Sequence, residues 1–303
     1  MLVKRPMKAP SDPISDKNLI HLPYPIVGSP KLDGFRCIVI DYKPHTSSMK
    51  SFPNRFLNEE MSKVEYQGLD GEIVVGTPND PNAFHNTSGP VRRIDGRPDF
   101  KFYVFDDVYG KTHSYEDRWL SRLNEGLYRS NDRIVFLEQK ILESPEDVIA
   151  YEDEMLGMGY EGVMIRSMTG LYKEGRCSFH DLNIFKRKPF VECEATIVGF
   201  VEGTQNLNEA KLNEMGQMRR SSHKSNKISK NTLGSFVLKS TLWPSTFRAG
   251  LGEGYTQSDK QKVWYRQEEY LGETVTVKYQ KYGSRDAPRI PSVVKIRPAF
   301  DRV

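Results

Sequence analysis

Four short runs of β-branched and aromatic residues, Phe35–Tyr42, Leu69–Val75, Lys101–Val108 and Gly162–Arg166, punctuate the first half of the chain, each flanked by turn-forming residues. Runs of this length and composition are strands, and a chain built on them is organised around sheets, with helices as covers. Two such covers are predicted. Ser114–Tyr128 opens on Ser114 as N-cap with Asp117 three residues on. Ser144–Leu156 opens on Ser144, with Pro145 at the first helical position and Glu146 and Asp147 in the first turn. After Pro189 the pattern changes: Glu194–Val201, Gly234–Lys239 and Glu273–Tyr279 alternate as strands, with one helical stretch near Ser258–Tyr270. That second pattern suits a small Greek-key barrel. A chain of 303 residues exceeds one average domain, so two domains are expected, 1–189 and 190–303.

Charge divides along the same line. Residues 1–189 hold 26 Lys and Arg against 28 Asp and Glu, a balance of −2, and residues 190–303 hold 18 against 12, a balance of +6. Within the basic part, Lys211, Arg219, Arg220, Lys224, Lys227 and Lys230 face only Glu214 across 211–230. A polar, cationic loop of this kind suits a phosphate backbone, because cations placed on phosphates gain affinity by displacing counterions. Cys37, Cys177 and Cys193 are widely spaced and form no Cys-x-x-Cys pair, so neither a disulfide framework nor a zinc site is expected. No apolar run approaches the length that crosses a bilayer, and the start lacks the apolar core of a signal peptide. A soluble protein without membrane contact, in the cytoplasm, is the expectation.

Lys31-Leu32-Asp33-Gly34-Phe35-Arg36 is the most specific segment. A lysine amine can attack the α-phosphorus of a nucleotide and hold the nucleotidyl group as a phosphoramidate, splitting one difficult condensation into easier steps. Only the neutral amine attacks, and its ordinary pKa of about 10.4 must be depressed by neighbouring cations or a metal. Gly34 would let the backbone approach the nucleotide, Asp33 could accept from the sugar or orient the lysine, and Arg36 could donate to a sugar hydroxyl or to the end of a bound strand. Taken alone, these residues also describe a surface hairpin that begins with a solvated lysine. Downstream, Glu72 and Glu161 are carboxylates that near a triphosphate would hold a divalent ion, magnesium being the natural hard-oxygen choice. Lys186 and Lys188 alternate with Phe185 and Arg187, so a strand puts both lysines on one face, where they would neutralise an α-phosphate and lower the pKa of Lys31. Arg187 would then point the other way, toward solvent or DNA.

In order along the chain, Lys31–Arg36, Leu69-Asp70-Gly71-Glu72, Phe105-Asp106, Glu161-Gly162-Val163-Met164-Ile165-Arg166 and Phe185-Lys186-Arg187-Lys188 resemble the nucleotidyltransferase motifs of ATP-dependent DNA ligases. The compact length is similar to that of the minimal two-domain ligases of bacteriophages. The resemblance implies an α+β fold: an N-terminal adenylation domain with antiparallel sheets and flanking helices, and a C-terminal OB-fold β-barrel. It implies ATP as AMP donor, Mg2+, nicked duplex DNA as partner, a monomer, and a place in DNA replication, repair and recombination. Lys31 would be the AMP-carrying nucleophile, with Lys186 and Lys188 stabilising charge. Asp33, Arg36, Arg55, Glu72, Phe105, Glu161, Lys186, Lys188, Arg289 and Arg297 would bind the nucleotide, Phe105 by stacking on adenine, and Glu72 and Glu161 would bind the metal.

Two departures qualify the likeness. Many such ligases carry a Ser-Arg pair before a Pro-Asn step; here Pro53-Asn54 is present, but Ser47 stands where the arginine is expected, leaving the strand-gripping task to Lys50 or Arg55, with Arg55 favoured. Arg289-Ile290-Pro291 and Lys295-Ile296-Arg297 resemble the last motif, which grips departing pyrophosphate, but its closing basic residue is absent unless Arg302 supplies it. An RNA ligase or an mRNA-capping guanylyltransferase would share the lysine motif. A non-enzymatic OB-type nucleic-acid-binding protein is the remaining alternative.

Overall fold

A computed structural model describes residues 3–124, 131–212, 218–221 and 226–297. The chain divides into two units, Met1–Lys188 and Pro189–Val303. Among the described residues, no helix is long and apolar enough to cross a membrane.

The first unit holds two sheets. Strands β1 (Ile26–Pro30), β2 (Phe35–Ile40), β3 (Lys43–Thr46), β4 (Leu69–Val75), β5 (Phe100–Asp107), β6 (Ile134–Phe136), β7 (Lys140–Leu142), β8 (Val163–Ser167) and β9 (Ile184–Arg187) form a five-stranded sheet in the order β3-β2-β4-β5-β6 and a four-stranded sheet in the order β7-β1-β8-β9. Pairing is antiparallel except for the edge pair β5–β6. The sheets are not wholly antiparallel as expected, because β6 enters after a long excursion from β5. The strand expected over Phe35–Tyr42 stops at Ile40. Asp41 and Tyr42, at φ 50° and 58°, make the two-residue turn into β3, and the amide of Tyr42 donates to Gln67 Oε1 at 2.7 Å.

Alternation along each strand builds four layers. One face of the five-stranded sheet carries Cys37, Val39, Ile73 and Phe102 under two helices, Arg55–Met61 and Ala83–Arg92, which contribute Leu57, Met61 and Val91. The outer face of the four-stranded sheet carries Ile26, Val163, Ile165 and Phe185 under helix Pro145–Gly157, which contributes Val148, Tyr151 and Met155. Ile38, Ile40 and Ile184 meet between the sheets, joined by Val3, Met7 and Ala9 of the N-terminal segment. That segment is zipped onto 172–177 by Lys8 N–H to Gly175 O at 2.7 Å and Cys177 N–H to Lys8 O at 2.8 Å.

Of the two expected helices, the first runs Tyr115–Asn124, its predicted last residues lying outside those described; Ser114 Oγ accepts from the Asp117 amide at 3.1 Å. The second runs Pro145–Gly157, with Ser144 accepting from the Asp147 amide at 3.1 Å.

The second unit is built on β10 (Val191–Asn206), β11 (Ala210–Leu212), β12 (Met218–Arg220), β13 (Lys227–Lys239), β14 (Phe247–Leu251), β15 (Thr274–Gln280) and β16 (Arg289–Ile296). Five of these close a barrel in the order β10-β13-β14-β16-β15, and β11 and β12 pair apart. Ile197, Phe236, Leu238, Val275, Val277 and Val293 fill the barrel, with Val263 from helix Gln257–Tyr265. The stretch 211–230 is not a plain loop. Leu212 pairs with Met218, and β10 and β13 run on beyond the barrel through Thr204–Ser229 to Asn206–Lys227. Lys224 and Arg302 lie outside the described residues.

Candidate active site

Lys31 sits in the link just past β1, where its amide donates to Gly162 O at 2.8 Å and its carbonyl accepts from the Glu161 amide at 3.3 Å. This backbone pair extends the β1–β8 ladder by one step and places the nucleophile against the start of β8. Two glycines make the approach possible, though not as the sequence suggested for Gly34. A Cβ on Gly34 would lie 2.3 Å from Ile73 O, so its freedom serves contact with β4 rather than with a nucleotide. Gly162, at φ +147°, has the same role between β8 and β9: a Cβ there would lie 2.2 Å from Arg187 O.

Between the two sheets lies a cleft of about 220 Å³, lined by Ser29, Pro30, Lys31 and Leu32, by Arg36, Glu72 and Phe105 of the five-stranded sheet, and by Met164, Arg166 and Lys186 of the other. Lys31 Nζ is ion-paired to Glu161 Oε2, and Lys188 Nζ lies 3.4 Å from Glu161 Oε1. Glu161 is buried, at 2% exposure. It sits two residues before β8, and Glu72 stands inside β4. Burial pushes the Glu72 carboxyl up to about 7; Arg36 and Lys31 oppose the rise, and Asp33 and Glu161 add to it. Asp33 is buried beside this group.

Lys186 Nζ donates to Ser11 O at 2.6 Å, and its pKa is lowered by burial and by Lys188, Lys31 and Arg176. Lys186 and Lys188 thus share one charge field with Lys31. Arg187 points the other way, but not to solvent or DNA: it is buried between Glu152 at 2.5 Å and Asp16 at 2.8 Å, because the reverse face of β9 is covered by helix Pro145–Gly157 and the N-terminal segment. Arg36 is held by Asp70 through Nε at 2.5 Å and Nη2 at 2.7 Å, and lies 4.5 Å over the Phe105 ring.

Arg55 is not in this cleft. Its side chain is 79% exposed and pairs with Asp95 at 3.2 Å, because helix Arg55–Met61 lies on the far face of the five-stranded sheet. Arg289 and Arg297 belong to the barrel unit, where Arg297 pairs with Glu194 at 2.9 Å and donates from Nε to Thr276 at 3.1 Å.

Four contributors were not foreseen from the sequence: Lys8, Arg176, Arg166 and the Asp70–Tyr172 pair, in which the Tyr172 hydroxyl donates to Asp70 Oδ2 at 2.6 Å. Lys8 and Arg176 line the cleft as neighbours across an isolated parallel bridge between segments 168 residues apart, which no local pattern announces. Lys8 has its pKa lowered by burial and by Arg36, Arg176 and Arg5. Asp70 and Arg166 lay inside the motifs, and the signal was their charge at strand positions that otherwise alternate into a core. Arg166, 4% exposed, donates to Asp106 at 2.8 Å and lies 5.3 Å from the Phe105 ring. The cleft therefore offers an aromatic face, an amine, a carboxylate pair and a ring of cations, a donor set for a nucleotide with its phosphates.

The ATP dependent DNA ligase domain matches residues 6–186, and the DNA ligase OB-like domain matches residues 227–297. A DNA ligase of African swine fever virus is 22% identical over 124 residues, 38% of this chain and 30% of the viral protein, so the match spans under a third of that relative's length. The solved Chlorella virus DNA ligase-adenylate shares the fold at a TM-score of 0.54, with 24% identity over 98% of this chain and 99% of that one. A structure from a study of Lig E DNA ligases shares it at 0.67, with 19% identity over 90% and 92%. The chain belongs to the ATP-dependent DNA ligase family, with the ligase domain in its first unit and the ligase OB-like domain in its second.

Proposed function

We propose that the chain seals 5′-phosphate/3′-hydroxyl nicks in duplex DNA through an AMP carried on Lys31. The observation that carries this reading is the position of Lys31 Nζ: in the cleft, paired to the buried Glu161, with Lys186, Lys188, Lys8 and Arg176 supplying positive charge around it. In the first step the neutral amine attacks the α-phosphorus of ATP, forming a P–N bond as pyrophosphate leaves. A nick 5′-phosphate oxygen then attacks the same phosphorus, freeing the lysine and forming a phosphoanhydride. Finally the 3′-hydroxyl oxygen attacks the 5′-phosphorus and AMP leaves.

The surrounding cations stabilise phosphate charge as each bond changes. Phe105 supplies a stacking face for the base, and Arg36, fixed by Asp70, is poised for the sugar. Among the described residues, no group of three His, Cys, Asp or Glu converges as a metal cage. Two carboxylates in one buried site still fit magnesium, which keeps waters and takes phosphate oxygens to complete its shell. Glu72 and Glu161 would hold it, and it would neutralise the triphosphate. Arg289 and Arg297 would act on the departing pyrophosphate, and exposed Lys227 and Lys230 of the β10–β13 ribbon suit the DNA backbone.

Incubation with α-labelled ATP and magnesium should label the protein, and Lys31→Ala should abolish the label. A chase with nicked DNA should release it as sealed product. Label that survives Lys31→Ala, or that forms with GTP alone, would overturn the reading. Release on nicked RNA only would make the chain an RNA ligase, and absence of any adduct would leave a binding protein.

A further inference from the structure

We infer that four exposed arginines, Arg55, Arg92, Arg93 and Arg97, form a platform that grips the phosphate backbone of bound duplex DNA a few nucleotides from the cleft. The inference rests on the nick-sealing reading and assigns it a surface of the first unit.

The platform is built rather than incidental. Asn54 is fully buried and caps helix Arg55–Met61 by accepting from the Leu57 amide at 2.8 Å, while its own amide donates to Arg93 O at 3.0 Å and Gly96 O at 3.2 Å. The Arg55 amide donates to Ile94 O at 2.9 Å. Residues 54–55 and 93–96 are thus one rigid corner. Arg92 lies 5.3 Å over Phe35 and Arg97 5.2 Å over Phe56, and Phe35 is itself stacked on Phe84 at 5.1 Å. Guanidinium groups laid on rings are pre-oriented and keep their N–H edges outward, the geometry that binds phosphate oxygens in pairs. Acids near the corner include Asp95, paired with Arg55 at 3.2 Å with both side chains 79% exposed, Asp99, paired with Arg133, and Glu59, one helical turn from Arg55. An ion pair that open is weak, so a phosphate can displace Asp95.

Helix Ala83–Arg92 connects this corner to the cleft. Ala83 packs with Leu32, Leu137 and Phe105 at the cleft's edge. The helix rises about 15 Å over its ten residues, roughly four nucleotide steps at about 3.4 Å each.

The test is nick binding as a function of salt, with labelling of Lys31 by ATP as the control for folding and for the ligase reading. In Arg92→Gln/Arg93→Gln/Arg97→Gln, the slope of log K against log salt should become shallower by about 0.9 for each phosphate no longer gripped, while labelling persists. An unchanged slope with labelling intact would overturn the platform. Absence of label on the unsubstituted chain would instead sink the ligase reading. If the triple variant loses its label through misfolding, Arg93→Gln alone, at a solvent-facing position, decides: a slope shallower by about 0.9 supports the platform, and no change refutes it.

Discussion

Asp106 lies behind the cleft residue Phe105, the aromatic of the same motif, and ties down two buried arginines. Its carboxylate, 1% exposed, accepts from Arg118 Nε at 2.9 Å and from Arg166 Nη1 at 2.8 Å, and Arg118 is itself 1% exposed. Two buried guanidiniums donate to this one carboxylate, and removing it takes its charge from both. Asp106→Ala should therefore cost about 3–5 kcal/mol, read as a lowered midpoint in urea. A loss below about 1 kcal/mol would mean that the arginines re-pair or hydrate, which their burial argues against. The residue types of this site were legible because each is unusual in or beside a strand: Lys31 just past β1, Glu72 inside β4, Lys186 on β9 and Lys188 just past its end. Their partners were not. Arg166 meets Asp106 from 60 residues away and Glu161 meets Lys31 from 130, and such pairings exist only once two sheets face each other. Gly34 shows the same limit, since a glycine announces close approach without saying to what.

At the scale of elements, helices with strong caps were legible and helices held by packing were not. Ser144 followed by Pro145 and two acids announces its helix. Helix Ala83–Arg92 contains Thr87, Ser88, Gly89 and Pro90, all poor helix formers, and it persists because Ala83, Thr87 and Val91 are buried. Strand β1 was hidden for a related reason: Gly28, Ser29 and Pro30 break any β-branched pattern, although the strand lies between β7 and β8. Helix Arg55–Met61 is too short for periodicity to show, and the structure reveals Asn54 as its cap. That residue also holds the 93–96 corner, so Asn54→Ala should remove the cap, about 1 kcal/mol, and leave the Arg93 and Gly96 carbonyls short of a donor, for a total of about 2–3 kcal/mol. A urea midpoint within about 0.5 kcal/mol of the parent would refute its role as the corner's tie.

Across the whole molecule, the charge balance and the change of strand pattern near Pro189 follow one division of labour. The first unit holds the cleft and every side chain that lines it, and four hydrophobic clusters lie wholly within it. The barrel has its own cluster and the final motif with Arg289 and Arg297. A chain ending at Lys188 therefore keeps an intact core, and residues 1–188 alone should unfold cooperatively, as a single domain does. If the final motif stabilises pyrophosphate as it departs, the same fragment should take label from ATP far more slowly than the full chain. Arg297→Ala in the full chain should share the defect while leaving the sealing of pre-adenylated nicks near the parent rate, because no pyrophosphate is released in that step. Labelling of the fragment at the full chain's rate would place all the machinery of lysine adenylation in the first unit and leave the barrel to DNA alone.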